Sequence, residues 1–178
     1  MKALVVYESM FGNTEQVARA VAEGLRTRME VELVGADKAP APLHELVDLV
    51  VVGGPTHAFS MTRQNTRADA VRQGAQAGKE AYGIREWIDH LSNGPHSERV
   101  ATFDTRIART GGRVRHFPGS AAKAAAKGLR KHGYDALVKS ESFWVEDTSG
   151  PLFPGEVERA EKWGKQLAAT VAEPAGAG

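Results

Sequence analysis

Ala3-Leu4-Val5-Val6-Tyr7-Glu8-Ser9-Met10-Phe11-Gly12-Asn13-Thr14 is the stretch whose reading decides the fold. Its first five residues form an apolar strand. A helical pattern starts just after it, with Val17, Ala18, Val21, Ala22, Leu25 and Met29 on one face. A strand, a short hydroxyl-bearing loop and a helix start, in that order, make a socket for a phosphate. N–H groups in the first turn of a helix have no internal acceptor, and the helix dipole places about half a positive charge there. Ser9 and Thr14 add hydroxyl donors, and Gly12 lets the backbone close on an anion with no Cβ in the way. The candidate anion-binding residues are therefore Ser9, Met10, Phe11, Gly12, Asn13 and Thr14. The plain alternative is a βα turn whose hydroxyls only cap the helix.

Outward from this stretch, strand and helix patterns alternate. Strand runs fall at 2–7, 30–35, 47–53, 99–103 and 136–146, and helical runs at 14–29, 63–76, 82–92, 120–132 and 155–171. Such alternation predicts an α/β domain with a parallel sheet covered by helices on both faces. Leu49-Val50-Val51-Val52 is continuously apolar, as a strand buried on both sides must be, and the first and third strands are expected at the centre. The polar segment 62–98, interrupted by Gly74, Gly78 and Gly83, reads as a broken helical excursion over a sheet edge or as an interface element. The domain is expected to span residues 1–172. The Pro/Ala/Gly-rich tail 173–178 is expected to be disordered.

The first loop resembles the signature of the flavodoxin-like family. Val5-Val6-Tyr7, then Ser9, Gly12 and Thr14, then Ala18-Arg19-Ala20-Val21 fill each place of that signature. The resemblance implies a three-layer, doubly wound α/β fold with a five-stranded parallel sheet of order 2-1-3-4-5. It also implies that the bound anion is the phosphate of FMN. Ligands of such sheets sit beyond the carboxyl ends of the strands at the switch point, here strands 1 and 3.

The loop after strand 3 would then line the flavin ring through Pro55, Thr56, His57, Ala58, Phe59 and Ser60, as far as Met61. Its Pro-Thr start resembles the quinone-reductase branch of the family. His57 and Phe59 are candidates for ring contact, although Phe59 also reads as a core aromatic and His57 as an exposed loop residue. No glycine lies between Thr56 and Met61. Positive φ at Ala58 or Phe59 would cost on the order of 1 kcal/mol or more. That makes a backbone flip toward the ring unfavourable and points to two-electron chemistry. After strand 4, Asp104, Thr105 and Arg106 would face the far side of the ring, with His116 and Phe117 as further candidates. Ser120 is expected to cap the next helix. Arg106, Arg109, Arg113 and Arg115 form a basic stretch that reads either as a solvated loop or as a dock for an anionic group.

Composition narrows the function further. The chain has 178 residues, 42% hydrophobic and 25% charged, which suits one well-buried soluble domain. It has no cysteine, which rules out thiol catalysis, disulfides and Cys-ligated clusters. No apolar run reaches membrane-spanning length, and no signal-peptide plan is seen, so a cytoplasmic location is expected. A net charge of +1 gives no footprint for nucleic acid and differs from the acidic electron carriers of the resembled family. Neither G-x-G-x-x-G nor a P-loop follows the first strand, the six histidines show no metal spacing, and no nucleophile motif occurs. The chemistry is therefore expected to belong to a bound cofactor. The leading reading is an FMN oxidoreductase that takes a hydride from NAD(P)H and reduces a quinone-like acceptor. A non-enzymatic electron carrier that docks with a redox partner, and a flavodoxin-like module with little FMN binding, remain as alternatives. Homo-oligomerisation is left open.

Overall fold

The computed structural model describes residues 1–43, 47–108 and 119–173. Its central sheet contains β1 (Lys2–Tyr7), β2 (Glu30–Gly35), β3 (Leu49–Pro55), β4 (Arg99–Ile107), β5 (Asp135–Ala136) and β6 (Glu141–Val145). The strand order is β2-β1-β3-β4-β5, with β6 also on β4, and every pairing between strands is parallel. The helices are α1 (Asn13–Leu25), α2 (Gln64–Arg72), α3 (Ile84–Asp89), α4 (Ala121–Lys131) and α5 (Glu156–Ala172).

The pleat sorts the apolar strands onto two faces. Ala3, Val5, Leu49, Val51, Ala101 and Phe103 pack under α1 and α5. Leu4, Val6, Val50, Val52 and Val100 pack under α3 and α4. Both faces are dry, which is why these strands read as unbroken apolar runs. Phe103, Phe143 and Trp163 meet edge to face, with ring centroids 5.9 to 6.1 Å apart, and lock α5 to the sheet.

Several boundaries differ from the sequence pattern. The strand expected over 136–146 is split: β5 pairs Val100 with Ala136, whereas β6 pairs Phe103 with Glu141. Residues 137–140 bow away from β4 between the two pieces, tied by the Leu137 N–H to the Val100 carbonyl and by Thr102 Oγ1 to Ser140 Oγ. β4 runs on through Ile107, because Asp104, Thr105, Arg106 and Ile107 still find a partner strand in β6. α3 does not cover an edge. Ile84, Trp87 and Ile88 drive it onto the sheet face beside α4. The Trp87 indole N–H donates to the Pro40 carbonyl. Gln73 caps α2 just before Gly74 turns left-handed, so the pattern over 63–76 closes early.

Candidate functional site

At the carboxyl ends of β1, β3 and β4 the chain leaves an open cleft of about 230 Å³. Four loops form it. After β1, Ser9, Met10, Phe11, Asn13 and Thr14 line one end. Gly12 sits at φ 88° as the helix N-cap, a conformation that a side chain would strain. Its N–H donates to Ser9 Oγ at 3.1 Å, which curls the loop into a concave turn. The first bond within α1 runs from the Gln16 N–H to the Gly12 carbonyl, so the amides of Asn13, Thr14 and Glu15 precede any intrahelical acceptor. Thr14 Oγ1 lies 2.7 Å from Thr105 Oγ1, a buried contact that joins α1 to β4.

The second loop, after β3, contributes Pro55, Thr56, His57 and Ala58. The His57 N–H donates to the Ser60 carbonyl, and the Ser60 N–H to the His57 carbonyl, each at 3.0 Å. These two bonds close a two-residue hairpin turn, with Ala58 at φ 45° and Phe59 at φ 66°. Two positive φ values are the mark of a type I′ turn, usually filled by Asn-Gly. Against the sequence expectation, the left-handed backbone is present without a glycine, and the two cross-turn bonds hold it. Burial lowers the pKa of His57, so the imidazole is neutral at physiological pH.

Alternation along β4 divides the third group. Thr105 lines the cleft beside Thr14. Asp104 points to the opposite face and is fully buried, away from the cleft walls. Its Oδ2 accepts from Thr56 Oγ1 at 2.8 Å, from the Ser120 hydroxyl and from the Ala122 N–H at 3.1 Å. Arg106 reaches the Gly119 carbonyl and lies over the Trp144 ring. Asp104 therefore holds the loop after β3 to the start of α4, and Arg106 braces the same junction. Phe59 is 55% exposed and lies against Gly119, and neither it nor Ser60 lines the cleft. Met61 packs against the α3/α4 core instead. Ser120 is the helix cap expected, accepting from the Lys123 N–H. Arg109, Arg113, Arg115, His116 and Phe117 lie outside the described residues, as does 174–178.

The fourth loop was not read from the sequence. Val145 and Thr148 line the cleft with Ile107 of β4. The Asn13 amide donates to the Ser149 carbonyl at 3.1 Å. Gly150 passes so close that a Cβ there would meet Asn13 Oδ1 at 2.4 Å. The signal was Asp147-Thr148-Ser149-Gly150-Pro151, a cluster of turn residues after the last strand and thus at the carboxyl end of the sheet.

Glu8, between β1 and the first loop, was also missed. It is buried, and its carboxylate accepts from the Thr62 hydroxyl and from the Ile84 N–H at 2.9 Å. Fully buried Arg67 donates to Thr62 Oγ1 at 2.9 Å and pairs with Glu86 at 2.9 Å. Burial raises the pKa of Glu8, against these donors and the nearby guanidinium.

Among the described residues no carboxylate lines the cleft. One end offers hydroxyls and helix amides, and the other offers Pro55, Ala58, Ile107 and Val145. That donor set fits a ligand with an anionic end and a flat apolar ring.

Comparison with known proteins agrees with this architecture. The Flavodoxin family model matches residues 5–85. Flavodoxin FldP of Pseudomonas aeruginosa (strain UCBPP-PA14) is 31% identical over 110 residues, 60% of this chain. The chain spans about half, 56%, of the length of that relative. A flavodoxin from the domain Archaea superposes with a TM-score of 0.64 at 19% identity, covering 97% of this chain and 100% of the other. Oxidised Flavodoxin 1 from Bacillus cereus gives 0.64 at 16% identity, covering 95% and 98%. A flavodiiron core from Synechocystis sp. PCC6803 gives 0.58 at 14% identity, covering 96% of this chain and 36% of the other. Among the described residues no helix is long and apolar enough to cross a membrane. With its strand order and these structural likenesses, the chain has a flavodoxin-like fold.

Proposed function

We propose that the cleft holds FMN and that the protein is an FMN-dependent oxidoreductase, taking reducing equivalents from NAD(P)H and passing them to a quinone-like acceptor. The observation that carries this reading is the polarity of the cleft, anion-binding at the α1 end and apolar at the other. Ser9, Thr14 and the amides of Asn13 and Thr14 would hold the phosphate. Pro55, Thr56, His57 and Ala58 would line the ring edge. When bound, the flavin supplies hydride acceptance and release. The chain orients it. Asp104 fixes Thr56, and the cross-turn bonds of His57 and Ser60 fix the backbone that faces the ring. Neutral His57 adds no charge to that wall and can hold a proton at one ring nitrogen.

An electron carrier working with a protein redox partner is the second reading. The observation in its favour is the left-handed backbone at Ala58 and Phe59, the conformation whose expected cost argued against one-electron chemistry.

Adding FMN to purified protein and recording the visible spectrum tests the site. Binding with a shifted flavin band supports it, and colourless protein after desalting overturns it. NAD(P)H oxidation that depends on an added quinone then supports the enzyme, and its absence in FMN-loaded protein favours the carrier. Ser9→Ala with Thr14→Ala should weaken FMN binding by about 3–6 kcal/mol, since hydrogen bonds to a charged group contribute about 1.5–3 kcal/mol each. Unchanged affinity in that double variant would refute the phosphate assignment.

A further inference from the structure

One face of the molecule carries a row of positive charge. Ser120–Ser140 carries five Lys or Arg against Asp135 alone, in a chain with a net charge of only +1. The structure places four of the five along one groove of about 930 Å³, between α4 and the bowed segment 137–140. Lys123, Lys127 and Arg130 stand on the outward face of α4 at spacings of four and three residues, and Lys139 faces them from the sheet edge. All four are exposed, and none is in an ion pair among the described residues. Ala126, Leu137 and Val138, half-buried, form an apolar floor, and among the described residues no carboxylate lines the groove.

Helix stability does not account for this row. Arg130 in the last turn complements the helix dipole, but Lys123 sits in the first turn, where a cation is disfavoured. The apolar face of α4, Ala122, Ala125 and Leu129, is satisfied by the core without any of the lysines.

We propose that this groove docks an acidic, extended segment of a partner protein. The row from Lys123 to Arg130 rises about 10 Å along the helix, far longer than one phosphate needs. Lys123 and Lys127 are about 6 Å apart along the axis, near the roughly 6.6 Å between alternate side chains of an extended strand. An acidic strand can thus set successive carboxylates against successive cations, with its other side chains on Leu137 and Val138. The groove also connects to the cleft. α4 begins at Ser120, whose hydroxyl shares Asp104 with Thr56 of the ring-side loop. The groove itself stands independently of FMN binding. That its occupant is a redox partner rests on the electron-transfer reading above.

A synthetic ten-glutamate peptide, titrated into the ¹⁵N-labelled full chain at low salt with and without FMN, tests the groove. Amide shifts concentrated on Lys123–Arg130 and Ala136–Ser140, in both forms, support it. Lys127→Glu with Arg130→Glu should weaken binding about tenfold or more, because two favourable pairs become repulsive. Arg28→Glu with Lys38→Glu, exposed and matched in net charge, should change it less than twofold. Equal weakening in this control would reduce the effect to net charge and overturn the proposal. So would pyrophosphate or a single-stranded oligonucleotide shifting the same amides at lower concentration than the peptide. Sedimentation showing a dimer that Lys127→Glu with Arg130→Glu abolishes would assign the groove to a second copy of this chain and overturn the partner. If the peptide binds but FMN does not, the groove stands and only the redox nature of its partner fails.

Discussion

The loop after β1 puts its left-handed residue on a glycine, Gly12 at φ 88°, whereas the loop after β3 puts two on residues that carry a Cβ, Ala58 at 45° and Phe59 at 66°. Each loop is backed by a buried carboxylate. Behind the first, Glu8 holds Thr62 and the start of α3, with Arg67 alongside. Behind the second, Asp104 holds Thr56 and the start of α4. The two ends thus share a plan but differ in how the backbone is held. The first loop is locally at ease and would keep its shape through its own residues. The second is held in a sparsely populated conformation by its surroundings, which is where function tends to store strain.

The largest effect should come from removing the support of the first loop. Arg67→Ala leaves the Glu8 carboxylate buried beside an uncompensated hydroxyl network, and about 3–5 kcal/mol of stability should be lost in urea unfolding. A loss under about 1 kcal/mol would mean that water or Glu86 relaxation replaces the guanidinium. Asp104→Asn should cost less, about 1–3 kcal/mol, since the amide still accepts but its NH₂ meets donors. Its readout is on the other loop. Thr56 should lose its anchor, and the His57–Ser60 amides should exchange faster with solvent while those of Asn13–Gln16 do not.

Backbone variants address the contrast directly. Gly12→Ala meets no atom within 4 Å, so its penalty is conformational alone, about 1–2 kcal/mol. Ala58→Gly should have the opposite sign or be near neutral, within about 1 kcal/mol, as relief of the left-handed strain offsets the added freedom of the unfolded chain. If both variants destabilise equally, the turn at Ala58-Phe59 is not strained and the contrast fails.

How much of this was legible follows the same division. The strand-loop-helix start and Ser120 as a cap are written in local spacing, and local rules found them, whereas the sheet order came only through the resemblance to a known family. Thr105 and Asp104 were both visible as residues at a strand end, but their opposite roles depend on the pleat of β4 and on how far that strand extends. Its extension in turn depends on β6 pairing with polar residues. Glu8 looked like a solvent-facing residue after a strand, because Arg67 and Thr62 are more than fifty residues away in the chain. The bow at 137–140 and the seat of Thr148 are tertiary in the same way. The turn at Ala58-Phe59 is the sharpest case: its residues argue against the conformation they hold, and only the bonds between His57 and Ser60 show why it persists.

The smallest expected effect lies in pH, and it separates the two ends by sign. Burial raises the pKa of Glu8, so folding favours its protonated form. Its contribution to stability is fully present below the ordinary carboxylate value and is lost as pH rises through the native value. Burial lowers the pKa of His57, so folding favours the neutral ring. Its contribution is fully present above the ordinary imidazole value, about 6.5, and is lost as pH falls through the native value. Glu8→Gln should therefore flatten the decline of stability with rising pH on the acid side, and His57→Gln the decline with falling pH just below 6.5. A His57 imidazole resonance titrating above 6.5 would show that an anionic neighbour outweighs burial in the loop after β3. The two ends of the cleft would then no longer differ in the sign of their response.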